Sequence, residues 1–548
     1  MPDRNSPAPA GRIAVVDVGS NSLRLVVFER LGASLVVLLN EKVMSALGRG
    51  IAVTGRLDPA GVDLAFANLQ RFVALARALG VDHLAIIATA AVREASDGRA
   101  FAAEIERQCG VPVMIVDGAE EARLSAAGVL AGIRDADGVV GDLGGGSVEL
   151  VRVDAGAAAP IGAGISLPLG PLRLAEFGDN RKAVNELIER TVAEAAVLRE
   201  AAGKTLYLVG GAWRAIARLH MEQTHYPLHI IHQYTLPRRP AEAFLEVISG
   251  QSRRSLERIA GISRRRLDVV PLAAAILQRL IAFGRPDQIV FSAFGLREGY
   301  AYGLEPPEDW ADPLIAACIG IAATQSRCRR DGDRLQQWIE PVFSVLDEPS
   351  RRLHRAVRWL SDIAWSEHPD YRAEHAFVRS LRMPVGALWH AERAFIAAAL
   401  HARYGGATDA PVKAAIRGLL EDDAAAGARR LGLALRLAYT LCGGALELLE
   451  QVRLGREDDG LVLELPATGS LFVGEAVQRR LDALGRSLDL ATRTMRRRSP
   501  SRVLACPLLT VALAERHQLD AVAPGGQRQP AVFQRQRVIA EDIPAPAR

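Results

Sequence analysis

The sequence predicts two similar α/β lobes facing each other across a cleft, followed by a mostly helical domain. The first observation behind this is Asp142-Leu143-Gly144-Gly145-Gly146-Ser147, set between the apolar runs Gly138 to Gly141 and Val148 to Val153. A carboxylate leaving a buried strand, followed by residues with little side chain, presents backbone N–H groups beside a hard-cation ligand, which suits a phosphate and its metal. Val148, Leu150, Val151 and Val153 are strand formers, so the glycines turn a hairpin and do not open a helix as Walker and Rossmann loops do. The second observation is the same design upstream: an apolar run from Ile13, then Asp17-Val18-Gly19-Ser20-Asn21-Ser22, then Leu23 to Phe28. One glycine turn is weak evidence for a ligand, because tight turns need glycine for conformational reasons. Two, each opening an αβ stretch, imply paired lobes. The third observation is a change near Asp309 to almost continuous helical spacing.

Five segments follow: a polar, Pro-rich lead-in at 1–10, a first lobe at 11–135, a second at 136–308, a helical domain at 309–493 and a tail at 494–548. In the first lobe, Leu35 to Leu39 reads as a third strand, Leu47-Gly48-Arg49-Gly50 as a loop, and Asp58-Pro59 as the start of a helix carrying Leu64, Leu69, Phe72 and Leu75. Asp82 to Thr89 is a buried-strand pattern. Arg93 lies just beyond its end, where α/β folds place ligands, and reads as an anion clamp. After the helix Phe101 to Cys109 and the strand Val113 to Val116, Glu120 and Glu121 precede the helix Leu124 to Ile133. Carboxylates there favourably oppose the helix dipole; alternatively one of them points into the cleft as a general base, and the residues alone leave both readings open.

The second lobe continues through Pro160 to Leu169, a helix from Lys182 to Ala202, the strand Leu206 to Val209 and a third glycine turn, Gly210-Gly211-Ala212-Trp213-Arg214, opening a helix. The helix Val269 to Phe283, the strand Gln288 to Phe291 and Ser292 to Gly299 close it. In the helical domain, Ala311 to Arg327, Leu353 to Ser366, Glu392 to Tyr404, Lys413 to Glu421 and Ala426 to Thr440 carry apolar faces, with Gly460 to Leu465 the one alternating run. Beyond Arg493 the chain turns Arg- and Pro-rich, and the tail is expected to be largely disordered.

With 548 residues and 49% hydrophobic content the chain can hold several domains with large cores. A formal net charge of +4 makes no global case for nucleic-acid binding, and the Arg-rich tail lacks interleaved aromatics. Five cysteines without CxxC spacing fit a reducing compartment. No apolar signal core opens the chain and no stretch reaches the ~18 apolar residues that would cross a bilayer. The expectation is a cytoplasmic protein with no membrane partner.

Asp17-Val-Gly-Ser-Asn-Ser, Thr89-Ala-Ala-Val-Arg-Glu-Ala, Glu120-Glu-Ala-Arg and Asp142-Leu-Gly-Gly-Gly-Ser, in this order, closely resemble the exopolyphosphatase and guanosine pentaphosphate phosphohydrolase family (Ppx/GppA phosphatases). Gly295-Leu-Arg-Glu-Gly resembles that family's closing motif. The resemblance implies an actin-like, ribonuclease H-like fold shared with sugar kinases and heat-shock ATPases, and beyond residue 310 the HD-like helical domain of long members. It also implies that Asp17 and Asp142 flank a Mg²⁺, that Gly19, Ser20, Asn21, Gly144, Gly145, Gly146 and Ser147 bind terminal phosphates, that Arg93 neutralises the transferred phosphoryl group, and that Glu121 activates water. Glu149, on the same strand face as Ser147, is a candidate metal-side carboxylate. The reaction implied is orthophosphate release from inorganic polyphosphate, with guanosine pentaphosphate as the alternative substrate, a phosphate-binding sensor as the non-catalytic reading, and a homodimer expected from the resemblance alone.

Two departures stand out. The third turn has Ala212 where the family usually has threonine, followed by Trp213, which either stacks on a guanine or fills that pocket; filling is the commoner role of a buried aromatic. Where a working HD site needs adjacent His and Asp, this chain has Ser361-Asp362, with His368, His375, His390 and His401 nearby in sequence. The helical domain is therefore read as a basic surface for a long anion, with Arg351, Arg352 and Arg355, or Arg264-Arg265-Arg266, as candidates.

Overall fold

A computed structural model describes residues 11–496 apart from 32–33, 179, 252–268, 305–311, 328–331, 344–345, 408–409, 458–459, 467–471 and 473. The lead-in, Arg264-Arg265-Arg266 and the tail beyond residue 496 lie outside the described residues. Almost everything described belongs to one compact unit ending at Met495.

In the first lobe, β1 (Arg12–Val18), β2 (Leu23–Leu31) and β3 (Ser34–Val43) form an antiparallel meander, and β4 (His83–Ala88) and β5 (Val113–Ile115) continue parallel to β1. The order is β3-β2-β1-β4-β5. The second lobe repeats it: β6 (Asp137–Leu143), β7 (Val148–Asp154) and β8 (Ile161–Leu167) form the meander, and β9 (Thr205–Val209) and β11 (Gln288–Phe291) run parallel to β6. The order β8-β7-β6-β9-β11 matches strand for strand, with β10 (Tyr234–Pro237) added antiparallel at the outer edge. This duplicated mixed sheet is the actin-like architecture expected above.

Strand alternation decides which side chains reach the space between the lobes. Ala14, Val16 and Val18 pack outward under the helices Pro59–Ala78 and Gly98–Cys109, whereas Ile13 and Val15 pack inward against the helices Gly118–Gly132 and Leu296–Tyr302. Asp17 continues the inward set. In β6, Val139 and Leu143 face outward and Val140 packs inward on the Gly118 helix, so Asp142 also falls on the inner face.

The two helices between the lobes cross almost backbone to backbone. A Cβ on Gly299 would stand 1.9 Å from the Leu124 carbonyl oxygen and 2.7 Å from the Gly128 nitrogen. Gly299→Ala is accordingly expected to destabilise the protein by ~1–3 kcal/mol, the usual scale for overpacking a tight contact, read as a lower urea midpoint. An unchanged midpoint would mean that the crossing can open without loss.

The stretch from Lys182 to Ala202 is not one helix. It is α-helical over Arg181–Ala193 and then 3₁₀ over Ala196–Ala201. The buried residues Val192, Ala195, Leu198 and Ala201 recur every third position, the period of the tighter helix. In the helical domain, β13 (Gly460–Leu465) is the alternating run expected, flanked by β12 (Arg453–Glu457) and β14 (Ala491–Arg496), which the sequence did not reveal. Both flanking strands sit at sheet edges and are mostly polar, so they carry no apolar alternation. The domain docks on the end of the Gly118–Gly132 helix through Ala387 N donating to Gly132 O at 2.9 Å, and on the second lobe through His390, 3.1 Å from His232 O and 2.9 Å from the Tyr226 hydroxyl. Among the described residues no helix is long and apolar enough to cross a membrane.

Candidate active site

A cavity of about 320 Å³ opens between the lobes where β1 and β6 end. The two turns that border it share one hydrogen bond: Gly19 N donates to Ser22 O at 3.1 Å, and Gly144 N to Ser147 O at 3.0 Å. Their outer carbonyls are used by backing segments. Gly48 N donates to Ser20 O and Ala46 N to Asn21 O, while Leu172 N donates to Gly145 O and Arg173 Nε to Gly146 O. With the carbonyls turned away, the amide edges remain for an anion. The turns nearly touch, since a Cβ on Gly145 would stand 3.2 Å from Ser20 Cβ. Gly19, Ser20, Asn21, Gly144, Gly145 and Ser147 line the cavity, and Gly146 lies just behind, against Ser20. The third turn joins them: Gly210 has φ +114°, and a Cβ there would meet the Leu143 oxygen at 2.4 Å, so only glycine lets the loop close on the end of β6.

Asp117 caps the Gly118–Gly132 helix, its side chain accepting from Glu120 N at 2.8 Å. Successive helical residues diverge by about 100°, so Glu120 and Glu121 cannot share an environment. Glu120 turns outward and pairs with Arg123 at 2.6 Å; Glu121 is buried and lines the cavity. Burial pushes the Glu121 carboxyl up to about 7; the hydrogen bond and charge of Arg93 oppose this, and the charges of Asp142 and Asp17 add to it.

Arg93 packs against Glu121. Its Nη1 donates to Glu121 Oε2 and to Val116 O, both at 2.9 Å, and its side chain does not line the cavity. The short helix Ala90–Glu94 aims it at the capped end of the Gly118 helix, so it reaches the site through Glu121. Glu149 lies behind the cavity wall. It is opposite Asp142 in the β6–β7 ladder and fully buried, and it accepts from Ser166 Oγ at 2.8 Å without lining the cavity. Burial and the nearby Glu121 and Asp142 charges raise its carboxyl far above the usual range, and its buried Oε2 has no hydrogen-bond partner.

Asp17 and Asp142 both line the cavity. Arg297 Nη1 donates to Asp17 Oδ2 at 2.7 Å, and Ser125 Oγ donates to Asp142 Oδ2, leaving one oxygen of each carboxylate clear of these bonds. Burial raises the Asp142 carboxyl, partly offset by Ser125 and Arg214. Among the described residues no three His, Cys, Asp or Glu side chains stand close enough to hold a metal together. Two carboxylates, hydroxyls and an open cleft nevertheless fit Mg²⁺, which keeps several waters and binds through one or two carboxylates plus phosphate oxygens.

Five basic residues lining the cavity were not singled out by sequence: Arg24, Lys42, Arg214, Arg218 and Arg297. Arg24 is directly opposite Asp17 in the β1–β2 ladder and shares its face, as Glu149 does with Asp142. Burial, and then the charges of Arg297 and Arg214, lower the Arg24 guanidinium to about 10. Arg214 is fixed by Nε donating to Ser292 O and Nη2 to Ala293 O, both at 3.0 Å. Trp213 is wholly buried in the core of the second lobe, donating to Ala273 O at 3.1 Å, and so fills rather than stacks. Of the arginines proposed as a basic surface, Arg351 pairs with Glu348, Arg352 is taken up by Asp312 and Glu392, and Arg355 is exposed.

The description of the Ppx/GppA phosphatase family matches residues 25–308, and that of the exopolyphosphatase C-terminal domain matches residues 314–494. Exopolyphosphatase 2 of Mycobacterium tuberculosis is 28% identical over 320 residues, covering 54% of this chain and 98% of that protein. A guanosine-5'-triphosphate,3'-diphosphate pyrophosphatase of Aeromonas hydrophila is 23% identical over 480 residues, 83% of this chain and 92% of its own length. Among solved structures, an exopolyphosphatase from Cytophaga hutchinsonii aligns with a TM-score of 0.49 at 23% identity, over 54% of this chain and 97% of that one.

Proposed function

Because the chain belongs to the Ppx/GppA phosphatase family, we propose that it releases orthophosphate from the ends of inorganic polyphosphate. The observation that carries this reading is Glu121, a buried carboxylate facing a cleft between two turns whose amide edges suit phosphate. The amide edges of Gly19 to Asn21 and Gly144 to Ser147 hold the terminal phosphates, and Arg24 and Arg214 offset the charge of the chain behind them. A water at Glu121 attacks the terminal phosphorus, its proton passes to the carboxylate, and the bridging P–O bond breaks to leave a shortened chain. Arg93 positions Glu121. Mg²⁺ on Asp17 and Asp142 would supply charge neutralisation at the phosphate oxygens.

Polyphosphate is favoured over guanosine pentaphosphate because Trp213 is locked in the core and offers no face to a guanine, whereas basic side chains continue along the cavity wall. The comparison to make is kcat/KM for orthophosphate release with each substrate offered separately and Mg²⁺ present. A higher value for polyphosphate supports the reading, and a higher value for the nucleotide replaces it with the pentaphosphate hydrolase.

The raised Glu121 carboxyl also sets a pH dependence. The base works only when ionised, so activity is low while the group is protonated and climbs as pH rises toward about 7. A kcat/KM profile flat from pH 5 to 8 would remove Glu121 from the base role.

A further inference from the structure

The helical domain holds a second pocket, of about 370 Å³, whose chemistry is unlike that of the cleft. Its walls bring together Arg327, Arg372, Arg403, Arg436 and Arg480, drawn from five separate stretches of the chain. One carboxylate answers them. Asp362 is wholly buried and accepts from Arg327 Nε at 3.0 Å and Nη2 at 2.7 Å, with Arg403 Nη2 at 3.7 Å. Among the described residues no carboxylate pairs with Arg372, Arg436 or Arg480. Five guanidinium groups around one acid leave a strong excess of positive charge in a partly desolvated space.

Three of the guanidinium groups, those of Arg327, Arg372 and Arg403, are also held in place. Arg403 is 8% exposed and lies between the rings of Tyr404 and Tyr439, its guanidinium carbon 4.5 and 3.8 Å from their centroids. Those rings are themselves tethered, Tyr404 by Ala364 N at 3.0 Å and Tyr439 by Ser361 Oγ at 2.9 Å. The buried Nε of Arg403 has no hydrogen-bond partner. Arg372 donates Nε to Glu367 O at 2.8 Å, which orients its fork. Burial and the charges of Arg480 and Arg403 lower the Arg436 guanidinium to about 10, so the cluster repels itself until an anion enters. Planar forks favour phosphate oxygens, which they can meet two at a time, and two of these, Arg327 over Trp365 and Arg403 on its tyrosines, rest on aromatic faces.

We infer that this pocket is a second anion site, separate from the hydrolytic cleft, that takes a phosphate-rich anion of about triphosphate size. The shared chemistry is a run of phosphates; its source is either an inorganic chain or a nucleoside polyphosphate, for which the half-exposed ring of Trp365 at the rim offers a stacking face.

The test is titration calorimetry of inorganic tripolyphosphate into the full chain carrying Glu121→Gln, which keeps the ligand from being consumed. The same chain with Arg436→Gln and Arg480→Gln added is expected to bind one fewer tripolyphosphate, with the remaining affinity unchanged. Arg436→Lys with Arg480→Lys preserves the charge and the packing stems; it is expected to keep the site but weaken it about tenfold, through loss of the two-pronged contact. An equal stoichiometry in all three proteins overturns the proposal, as does a lysine variant that is folded by circular dichroism and binds as tightly as the parent. A parallel titration with GTP identifies the source: tighter binding than tripolyphosphate, lost in Trp365→Ala, assigns a nucleotide, and equal binding assigns the inorganic chain.

Discussion

Glu121→Gln is expected to lower kcat for orthophosphate release by ~10²–10⁴, the usual worth of a positioned general base, while polyphosphate binding changes little. The substitution is nearly isosteric. An amide oxygen can still accept from Arg93 Nη1, so the helix end, the Val116 contact and the cavity shape are kept. What is lost is the ability to accept a proton, in a group that burial has raised to about 7. Glu120→Gln is the internal control: that side chain is turned outward onto Arg123, and its loss should leave kcat unchanged. Steady-state kinetics on both variants checks this. An effect in Glu120→Gln equal to that in Glu121→Gln would mean that helix capping, not proton transfer, is being measured.

Arg297→Met is expected to cost ~3–5 kcal/mol of stability, because removing one partner of a buried ion pair strands the other charge. Arg297 and Asp17 are 280 positions apart, and their 2.7 Å contact ties the helix that closes the actin-like module to the first strand. The Arg297 side chain is only 10% exposed and that of Asp17 21%, so water cannot take over the lost bond. Adding Asp17→Asn should recover much of the stability by removing the stranded charge, but not the activity, since Asp17 also lines the cavity. Urea midpoints for the single and double variants measure this directly. Equal midpoints for wild type and Arg297→Met would mean that the pair contributes nothing net.

The parts of the site legible in the sequence are those written into local pattern. An apolar alternation running into an aspartate and a small-residue turn specifies both the strand face and the loop, which is why Asp17 and Asp142 read clearly and why the duplicated sheet could be anticipated. Arg24 was as readable as either, seven residues after Asp17 as Glu149 is after Asp142, but only once the hairpin register is fixed. Arg93 and Glu149 were found by position, but not the contacts they make. Their side chains are set by tertiary partners, Glu121 and Val116 for the one and Ser166 for the other, which no spacing rule contains. The arginine pocket of the helical domain was invisible for the same reason, because five residues spread from 327 to 480 form no motif until helices pack. Edge strands β12 and β14 escaped because their residues face water on most sides.

The most direct test of the central claim is a ³¹P NMR time course of the purified protein with long-chain polyphosphate and Mg²⁺. Attack confined to the terminal phosphorus predicts an orthophosphate resonance growing from the first time points, with internal phosphates declining and the terminal resonance no larger than at the start. Chains cut internally, with new terminal resonances and little orthophosphate, would contradict the account, as would an unchanged spectrum from protein that binds the polymer.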